Sequence, residues 1–339
     1  MIARRFKNDL SRKRWRRFKG QKRSWYSTWI LVGLGILSLG AEFVANSKPL
    51  VLKYHGEIYF PVIRNYHPSV FGISDRMTSD YRALVLENGD YAIWPVVRWD
   101  PFETNTAVEK FPSGPTRINW FGTDDRGRDI FTRLLYGFRF SLTYALIVWV
   151  FTVCIAVTLG GTMGYFGAGV DIIGQRLVEV LSTVPTLFLL IILVSIFDPS
   201  LLLLVGFTCL FSWIGLSYYV RAEFLKNRKS EFVESARSVG AGHLRLIFIH
   251  ILPNSLIPVV TFSPFIIANQ ILGLAGLDYL GFGLRPPTPS WGELLNQAQK
   301  NFTTAWWLAV FPSIALCSTL VMLVLVGDGV KNAFDPKKN

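Results

Sequence analysis

Residues 230–254 read SEFVESARSVGAGHLRLIFIHILPN and form the longest polar interruption in the second half of a hydrophobic chain. Apolar residues recur at helical spacing behind Ser230, a suitable N-cap, and Gly240 stands where a helix C′ residue is expected. A second apolar stripe follows, and Pro253 precedes the next hydrophobic run. The segment predicts two short helices joined by a bend, and the pattern alone favours an amphipathic hairpin lying on a membrane. The apolar positions are Phe232, Ala236 and Val239 in the first helix and Leu244, Ile247, Phe248 and Ile251 in the second.

The rest of the chain supports a membrane protein. Of 339 residues, 51% are hydrophobic and 17% charged, and the apolar residues form long runs almost free of charge. A helix of about 20 residues crosses about 30 Å of hydrocarbon, and several runs reach that length. We therefore predict an all-α polytopic membrane protein with about six transmembrane helices. The predicted spans are residues 25–45, 142–166, 177–197, 200–220, 254–277 and 305–326.

The net charge of +12 is concentrated at the start of the chain. Residues 1–23 contain eleven Lys or Arg against Asp9 alone, directly before the first predicted span. This excess predicts a cytoplasmic segment over residues 1–24 under the positive-inside rule, with contact to anionic membrane lipid. Aromatic residues interleave with the basic ones, as in an RNA-binding arm, but the adjacent span favours a membrane anchor and no nucleic acid. A cleaved signal peptide is the other alternative, and the long basic region favours a retained first helix.

Residues 46–121 predict a small external domain with β-structure. Residues 46–140 hold twelve basic and eleven acidic side chains, and this balance is typical of the external face. Leu84–Leu86 and Tyr91–Trp94 flank Glu87-Asn88-Gly89-Asp90, which predicts a β-hairpin because both Asn and Gly accept positive φ. The domain is expected to be a structural cap or to contact a substrate-delivery protein.

Residues 122–142, GTDDRGRDIFTRLLYGFRFSL, lead into the second span. Thr123 or Asp124 can cap a helix with one apolar side, and Arg126, Arg128 and Arg133 can then face headgroups or water. We predict an interfacial helix over 122–141. A five-helix core over 142–327, containing the 230–254 loop, and a cytoplasmic tail over 328–339 complete the chain.

The sequence carries no pattern typical of catalysis or metal binding. The three cysteines lie inside hydrophobic runs, and the four histidines form no HExxH pair. The chain also lacks the GxxxxGK[ST] phosphate loop, so it is not expected to bind ATP. We therefore predict no catalytic residue, no metal ligand and no cofactor held by this chain.

The 230–254 loop resembles the EAA loop of ATP-binding-cassette (ABC) importer permeases. In that family the loop forms a coupling helix that docks on a cytoplasmic ATPase. Ser235 replaces an Ala of the motif and His250 replaces an Ile. The residues that carry the resemblance, and that it implies for ATPase coupling, are Glu234, Ser235, Ala236, Gly240, Leu252 and Pro253.

Other stretches resemble signatures of the dipeptide, oligopeptide and nickel branch of these permeases. One opens residues 122–142, another lies in a predicted external loop, and a C-terminal GDG…DP resembles a third. The long insert before Gly122 is similar to that of the Yej-type branch, linked to oligopeptide and microcin C uptake. The external or interfacial motif residues are Gly122, Thr123, Asp124, Gly127, Arg128 and Asp129 together with Pro286, Pro287, Ser290, Trp291 and Gly292.

The resemblance implies a permease subunit, not an enzyme, in a bacterial inner membrane with both termini cytoplasmic. Its implied partners are a second, different permease, two ABC ATPase subunits that bind ATP and Mg, and an external substrate-binding protein. Peptides or peptide-like solutes are the implied cargo. The alternatives are a channel or a membrane enzyme without an ATPase, and recovery of an ATPase partner distinguishes the first interpretation from both.

Overall fold

The computed structural model describes residues 9–71, 80–86, 89–106 and 108–335. The chain forms two compact units. Unit 1 comprises Met1–Leu31, Ser141–Arg285 and Leu316–Asn339, and unit 2 comprises Val32–Phe140 and Pro286–Ala315. The helices are α1 (Asp9–Gly20), α2 (Lys22–Leu39), α3 (Ala41–Val44), α4 (Ile130–Phe166), α5 (Ala168–Ser182), α6 (Thr186–Ile196), α7 (Leu201–Phe211), α8 (Trp213–Asn227), α9 (Glu231–Ser238), α10 (His243–Arg245), α11 (Leu252–Ser255), α12 (Ile257–Tyr279), α13 (Trp291–Lys300) and α14 (Trp306–Phe334).

Within the described residues, four helical segments are long and apolar enough to cross a membrane. They are Ile130–Phe166, Leu201–Asn227, Ile257–Tyr279 and Trp306–Phe334, and a fifth is obtained if α5 and α6 count as one bent span. The chain is thus a mostly helical, polytopic membrane protein with a small sheet, as expected from the sequence. The first of the six predicted spans corresponds to the 18-residue α2 and the short α3. A membrane crossing by α2 stays a prediction.

The predicted third span is broken in the structure. Helices α5 and α6 meet at an angle of 66°. Pro185 occupies the N-cap of α6, and it has no N–H to continue the α5 hydrogen-bond ladder. The span also begins earlier than predicted, at Ala168. The predicted span over 177–197 therefore comprises the end of α5 and all of α6, because the proline ends one helix and starts another.

The predicted interfacial helix over 122–141 is not a separate element. Residues 122–129 form a loop, and α4 runs without a break for 37 residues from Ile130. The helix is capped by Asp129, whose Oδ1 accepts the Thr132 N–H at 2.8 Å, and not by Thr123 or Asp124. At about 1.5 Å per residue the helix is longer than a bilayer core of about 30 Å, so part of it extends beyond the hydrocarbon.

The core of unit 1 forms where α4 packs against α8. A Cβ on Gly160 would lie 2.6 Å from the Ser217 carbonyl oxygen, and one on Gly164 would lie 2.6 Å from that of Arg221. The two backbones therefore approach as closely as small residues allow. Val220 and Phe224 of α8 are buried in the same cluster. This packing supports the helices on which the 230–254 loop rests.

Unit 2 contains a three-stranded antiparallel sheet with strand order β2-β1-β3. The strands are β1 (Val51–Tyr54), β2 (Glu57–Tyr59) and β3 (Tyr91–Ile93). His55 and Gly56 link β1 to β2, and both have positive φ, 50° and 84°, as a type I′ turn requires. The other edge of β1 pairs with β3, placing Leu52 opposite Ala92.

The predicted hairpin between Leu84–Leu86 and Tyr91–Trp94 was wrong. Leu84–Leu86 form no strand, and Tyr91–Ile93 pair with β1 instead. Glu87 and Asn88 of the predicted turn lie outside the described residues. The His55-Gly56 turn already pairs one edge of β1 with β2, so β3 pairs with the other edge of β1. Leu52, Phe71 and Tyr81 form the buried cluster beside the sheet.

Candidate functional site

Gly240 forms the bend in the 230–254 loop. It lies one residue beyond the Val239 C-cap of α9 and has a φ of 88°. Its N–H donates to the Arg237 carbonyl at 2.9 Å, and the Ala241 N–H donates to the Ala236 carbonyl at 3.0 Å. These two bonds are a Schellman motif, which satisfies the last carbonyls of the helix. The predicted C′ position of Gly240 is confirmed, and its conformation disfavours residues with a Cβ.

The inner side of the loop is anchored in the core of unit 1. Val233, Leu246 and Ile251 are fully or almost fully buried and pack with residues of α4 and α8. The stripe predicted for the second helix was wrong in two positions, because Leu244 and Phe248 point outward. Val233, which the sequence pattern missed, replaces Phe232 and Val239 as the buried contact of α9.

A π-helical turn causes this change in the buried face. Leu246–Ile251 are π-helical, so residues five apart share a side instead of residues three or four apart. Pro253 has no N–H to donate to the Ile249 carbonyl, which removes one bond that would tighten the turn as an α-helix. Leu246 and Ile251 therefore enter the core, and Phe248 and Ile249 remain outside.

The outer side of the loop is apolar and exposed. The relative exposed areas are 89% for Val239, 72% for Leu244, 61% for Phe248 and 62% for Ile249. We call these four residues the outer apolar patch. Their exposure is not explained by packing within unit 1, because the buried side of the loop already faces the core. Apolar patches of this kind mark interaction surfaces.

The residues expected to couple to an ATPase lie on both sides of the loop. Glu234, Ser235 and Pro253 are exposed, whereas Ala236 and Leu252 are half-buried against the core. Ser230 occupies the N-cap position, but its hydroxyl donates to the Asn227 carbonyl instead of capping α9. Exposed motif residues and motif residues that contact the core therefore occur on both sides of Gly240.

Two polar contacts that the sequence pattern did not indicate hold the loop to its neighbours. His243 Nδ1 and the Tyr165 hydroxyl share a hydrogen bond of 2.7 Å between the second loop helix and the end of α4. Arg228, just before α9, donates to the Tyr165 carbonyl at 3.0 Å. A force applied to the outer side would therefore reach α4 through polar bonds as well as packing.

A second group of motif residues forms a buried charge network in unit 2. Asp124, Arg128, Arg133 and Glu293 have side-chain exposures of 0%, 3%, 0% and 12%. Asp124 Oδ2 accepts Arg128 Nε at 2.7 Å and lies 3.4 Å from Arg133 Nε. Glu293 lies 3.1 Å from Arg128 Nη2 and also bonds Arg133 Nη2. Two cations and two anions therefore balance inside the protein, as burial of charge requires.

The neighbouring loops supply further hydrogen bonds to the Nη atoms of Arg133. Its Nη1 donates to the carbonyls of Pro101 at 3.0 Å and Pro287 at 3.2 Å, and its Nη2 donates to that of Thr288 at 3.4 Å. Trp291 Nε1 donates to the Leu134 carbonyl at 2.9 Å. The 122–129 and 286–292 motifs, far apart in the chain, thus form one site.

This site corrects the prediction that Arg126, Arg128 and Arg133 face headgroups or water. Only Arg126 is exposed. Arg128 and Arg133 are buried because Glu293 brings a carboxylate to them from the opposite motif. Burial lowers the pKa of Arg128, but the nearby Asp124 and Glu293 outweigh it and raise that pKa.

Glu293 was missed in the sequence although a signal for it exists. The Ser290 hydroxyl accepts the Glu293 N–H at 3.4 Å at the start of α13. Ser-x-x-Glu before a helix is the pattern of a capping box. The pattern places a glutamate at this helix start, but it does not indicate the two arginines that the side chain meets.

The remaining motif residues shape the loop before α4. Gly122 has a φ of 80°, and a Cβ there would lie 2.7 Å from the Ser113 carbonyl oxygen. Gly127 also has positive φ and touches the Phe111 ring. The Thr123 carbonyl accepts Trp307 Nε1 at 3.1 Å. Of the second motif, Gly292 is buried and Pro286 is exposed.

Among the described residues of this motif, Asp129 is a buried carboxylate held by amide and hydroxyl donors and not by an arginine. Asn119 Nδ2 donates to its Oδ2 at 2.9 Å, and the Thr132 N–H and hydroxyl donate to its Oδ1. Burial raises the pKa of Asp129, and these hydrogen bonds oppose the rise only in part. Asp129 thus serves to start α4 at a cost in desolvation.

A cavity of about 550 Å³ lies within unit 1, beside the break between α5 and α6. Tyr144 and Thr208 contribute hydroxyls that share a hydrogen bond of 2.7 Å, and Gln270 contributes an amide. The described residues that line the cavity carry no ionised side chain. The cavity therefore offers neutral hydrogen-bonding groups on an otherwise apolar wall. The neighbouring Asn269 does not line it.

None of these sites has the arrangement of a metal centre. Within the described ranges, no three His, Cys, Asp or Glu side chains are grouped closely enough to hold a metal ion. The network carboxylates are held by arginine and amide donors instead. What the three sites offer is an anchored loop with an apolar outer surface, a closed charge network and a neutral cavity.

Comparison with known proteins places this geometry in context. Residues 156–339 match the model of the family "Binding-protein-dependent transport system inner membrane component". The chain is 40% identical over 336 residues, 98% of both chains, to the "Inner membrane ABC transporter permease protein YejE" of Escherichia coli strain K12. It is 36% identical, over 98% of this chain and 94% of the relative, to the "Peptidoglycan transport system permease protein YejE" of Agrobacterium fabrum. It is also 36% identical, over 71% and 83%, to the "Dipeptide transport system permease protein DppC" of Haemophilus influenzae.

Proposed function

The chain belongs to the family of binding-protein-dependent transport system inner membrane components, the permeases of ABC importers, and from this premise we propose that it carries peptides or peptide-like solutes and couples to an ATPase through residues 230–254. The sequence-based assignment to ABC importer permeases of the peptide branch is confirmed. The chain is accordingly a multi-pass inner membrane protein and a transport component. Its cargo, partners and orientation are proposals developed below.

The outer apolar patch is the observation that carries the coupling proposal. Val239 and Leu244 project away from the core on either side of the Gly240 bend, whereas Val233 and Leu246 anchor the same loop. Burying a side chain such as Val or Leu stabilises a contact by about 1.5–3 kcal/mol. An ATPase surface that covers the patch gains this energy and holds a loop that is fixed to α4 and α8. The exposure of Glu234 on α9 supports a contact with a basic group of that partner.

The proposed assembly contains a second, different permease, two ABC ATPase subunits and an external substrate-binding protein. ATP and Mg are bound by the ATPases, and this chain supplies no group to the hydrolysis. Closure of the ATPase pair on ATP moves the two docked loops and switches the bundle between inward- and outward-facing states. The switch requires the ATPase to bind the two states with different affinity, because equal affinity shifts no equilibrium.

The neutral cavity of unit 1 supports a peptide-like cargo. Peptides of different sequence share amide groups and differ in side-chain charge. Tyr144, Thr208 and Gln270 offer hydrogen bonds to amides, while the described lining offers no charge that would select one side-chain type. The names of the relatives include dipeptide and peptidoglycan transport, which agrees with a cargo of this class. We therefore assign this cavity to the translocation path.

Both termini are proposed to be cytoplasmic. Six Lys or Arg lie on α1 against Asp9 alone, an excess typical of the cytoplasmic side. Arg14 of α1 lies 4.5 Å over the ring of Phe334 at the end of α14. This contact supports a topology in which the two ends of the chain lie on the same side of the membrane. The 230–254 loop ends just before α12, and Val260 in the first turn of α12 lines one cavity together with residues of α1.

The proposal is tested by affinity purification of tagged protein from native membranes in mild detergent, followed by mass spectrometry. We expect an ABC ATPase and a second permease to copurify with the wild type. Val239→Glu should remove most of the ATPase while the second permease remains. The matched control is Val85→Glu, which places the same charge on another exposed valine, 80% exposed, in unit 2.

Two results would contradict the proposal. Retention of the ATPase by Val239→Glu at wild-type yield would exclude the outer apolar patch as its docking surface. A folded wild-type protein that repeatedly purifies without an ATPase would favour the channel alternative. Cargo is tested separately by uptake of a labelled tripeptide in cells lacking other peptide importers, where uptake independent of this chain would exclude that cargo.

A further inference from the structure

An apolar groove lies between α1 and the ends of two long helices in unit 1. One side of α1, formed by Ser11, Arg14, Trp15 and Phe18, faces Val330, Ala333 and Phe334 of α14 and Val260 of α12. The cavity has a volume of about 300 Å³. All but two of the lining side chains are apolar. The ATPase-coupling loop and the translocation cavity are formed by other residues.

The position of the groove is at the surface of a membrane. Val260 lies in the first turn of α12, and Val330 to Phe334 form the end of α14, and both helices are long and apolar enough to span. The groove thus lies where these helices leave the hydrocarbon. Aromatic rings gather beside Trp15 of the groove, with centroid distances of 5.6 Å from Trp15 to Trp25 and from Trp25 to Trp29. Such clusters are typical of the membrane–water interface.

The rim of the groove is strongly cationic. Helix α1 reads DLSRKRWRRFKG, with six basic residues and one acidic residue. Lys13, Arg16 and Lys19 are exposed, and Arg14 lines the groove itself with its guanidinium over the Phe334 ring. Basic groups near a membrane surface attract anionic lipid by about 1 kcal/mol each, and basic pockets between spanning helices bind anionic headgroups.

We propose that this groove binds an anionic phospholipid of the surrounding membrane. One acyl chain fills the apolar space between Trp15, Val260 and Val330, and the phosphate lies at Arg14. The apolar floor accounts for the chain, and the cationic rim accounts for the headgroup charge. The bound lipid joins α1 to α12 and α14, so that the amphipathic helix lies on the bilayer as a fixed part of the permease.

Photocrosslinking tests the proposal on the assembled transporter in vesicles. The probe is phosphatidylglycerol with a diazirine at the end of one acyl chain, used in phosphatidylcholine vesicles, and crosslinked peptides are identified by mass spectrometry. We expect crosslinks concentrated in peptides that contain Trp15, Val260 and Val330. A phosphatidylcholine probe with the same acyl chain should label these peptides at least fivefold less. Unlabelled phosphatidylglycerol should compete, whereas unlabelled phosphatidylcholine should not.

Two variants separate the charge from the space. Arg14→Gln should reduce labelling of the groove about fivefold, the equivalent of about 1 kcal/mol for one basic group at a membrane surface. Lys13→Gln is the matched control, because Lys13 is on the same helix and exposed but does not line the groove. Ser11→Phe fills one end of the groove at a half-buried position and should reduce labelling without changing charge.

Four outcomes would overturn the proposal. Crosslinks spread evenly over all lipid-facing helices would show that the groove holds no particular lipid. Equal labelling by the phosphatidylcholine and phosphatidylglycerol probes would exclude recognition of an anionic headgroup. Labelling that appears in the isolated permease and disappears in the assembled transporter would show that a partner protein, not a lipid, covers the groove. Equal loss in Arg14→Gln and Lys13→Gln would exclude a specific role for Arg14.

Discussion

Replacing Glu293 with glutamine leaves two buried guanidinium groups sharing one carboxylate. In the wild type, Asp124 and Glu293 balance Arg128 and Arg133, and none of these side chains is more than 12% exposed. Glutamine keeps the size and the hydrogen-bonding oxygen of Glu293 but removes its charge. The change therefore isolates the electrostatic contribution of one carboxylate in a low-dielectric site.

The expected loss follows from the distances. Two unit charges about 4 Å apart interact by about 4 kcal/mol at an effective dielectric constant of about 20. Glu293 lies 3.1 Å from Arg128 Nη2 and also bonds Arg133 Nη2, so two such interactions are lost. Relief of the desolvation of Glu293 offsets part of the loss. Breaking a buried ion pair by removing one partner costs about 3–5 kcal/mol, which is the decrease we expect in the free energy of unfolding.

Pulse proteolysis across a denaturant series, in mild detergent, measures this decrease as a lower midpoint of cleavage. The control is Glu179→Gln, which removes the same charge from the Arg176–Glu179 pair. That pair is 73% and 49% exposed, so its loss should cost at most about 1 kcal/mol. A second arm adds Arg133→Met to Glu293→Gln, which restores charge balance. The double variant should lose less than the sum of the single changes, because the residues share one network.

A wild-type midpoint for Glu293→Gln would refute the argument. It would mean that water reaches the two guanidinium groups and screens the excess charge. Strict additivity in the double variant would equally refute it, since independent sites add and coupled charges do not. A loss in Glu179→Gln as large as that in Glu293→Gln would show that the assay responds to charge in general and not to burial.

Further predictions concern the bend, the cap and the cavity. Substitutions at Gly240 should reduce transport at normal expression, least for Asn, more for Ala and most for Val. The φ of 88° costs L-residues about 1–2 kcal/mol and Asn tolerates it best, while no atom within 4 Å would clash with a Cβ. Equal uptake by all three variants would contradict the role of the bend. Because the pKa of Asp129 is raised on folding, the folded protein holds the proton of this carboxyl up to a higher pH than the unfolded chain does. The contribution of Asp129 to the free energy of unfolding is therefore fully present below the pKa of the unfolded chain, and it is lost as the pH rises through the raised pKa of the folded state. Asp129→Asn should therefore flatten the pH dependence of the pulse-proteolysis midpoint between pH 7 and pH 4, and an unchanged slope would exclude the assignment. Gln270→Leu should lower tripeptide uptake several-fold while the ATPase still copurifies. The control is Asn269→Leu, which should leave uptake unchanged because Asn269 does not line the cavity. Equal uptake in the two variants would exclude Gln270 from the translocation path.

Local features of the sequence predicted the family and much of the fold. Long apolar runs predicted a polytopic helical protein because a spanning helix is a local property of about 20 residues. Gly240 was placed correctly at the C′ position because the Schellman motif involves only neighbouring residues. Each of these features is determined within a few turns of the chain.

The charge network could not be predicted in the same way. Arg128 and Glu293 are 165 residues apart, and only the folded chain brings them together. From local sequence, an arginine-rich helix start beside a span is better explained by headgroup contact, which is the commoner outcome. The motifs identified Asp124 and Arg128 as important without indicating that they are buried. The carboxylate that makes their burial possible lies one residue beyond the second motif.

The outer apolar patch depends on a departure from helical periodicity. A period of 3.6 residues groups Leu244, Ile247, Phe248 and Ile251 on one buried face. The π-helical turn instead buries Leu246 and Ile251 and leaves Phe248 and Ile249 outside. In a regular α-helix, the core would cover Leu244 and Phe248, which the structure leaves exposed. The irregular turn gives one short segment apolar residues on two sides, one fixed to the helix bundle and one free for the ATPase contact proposed above.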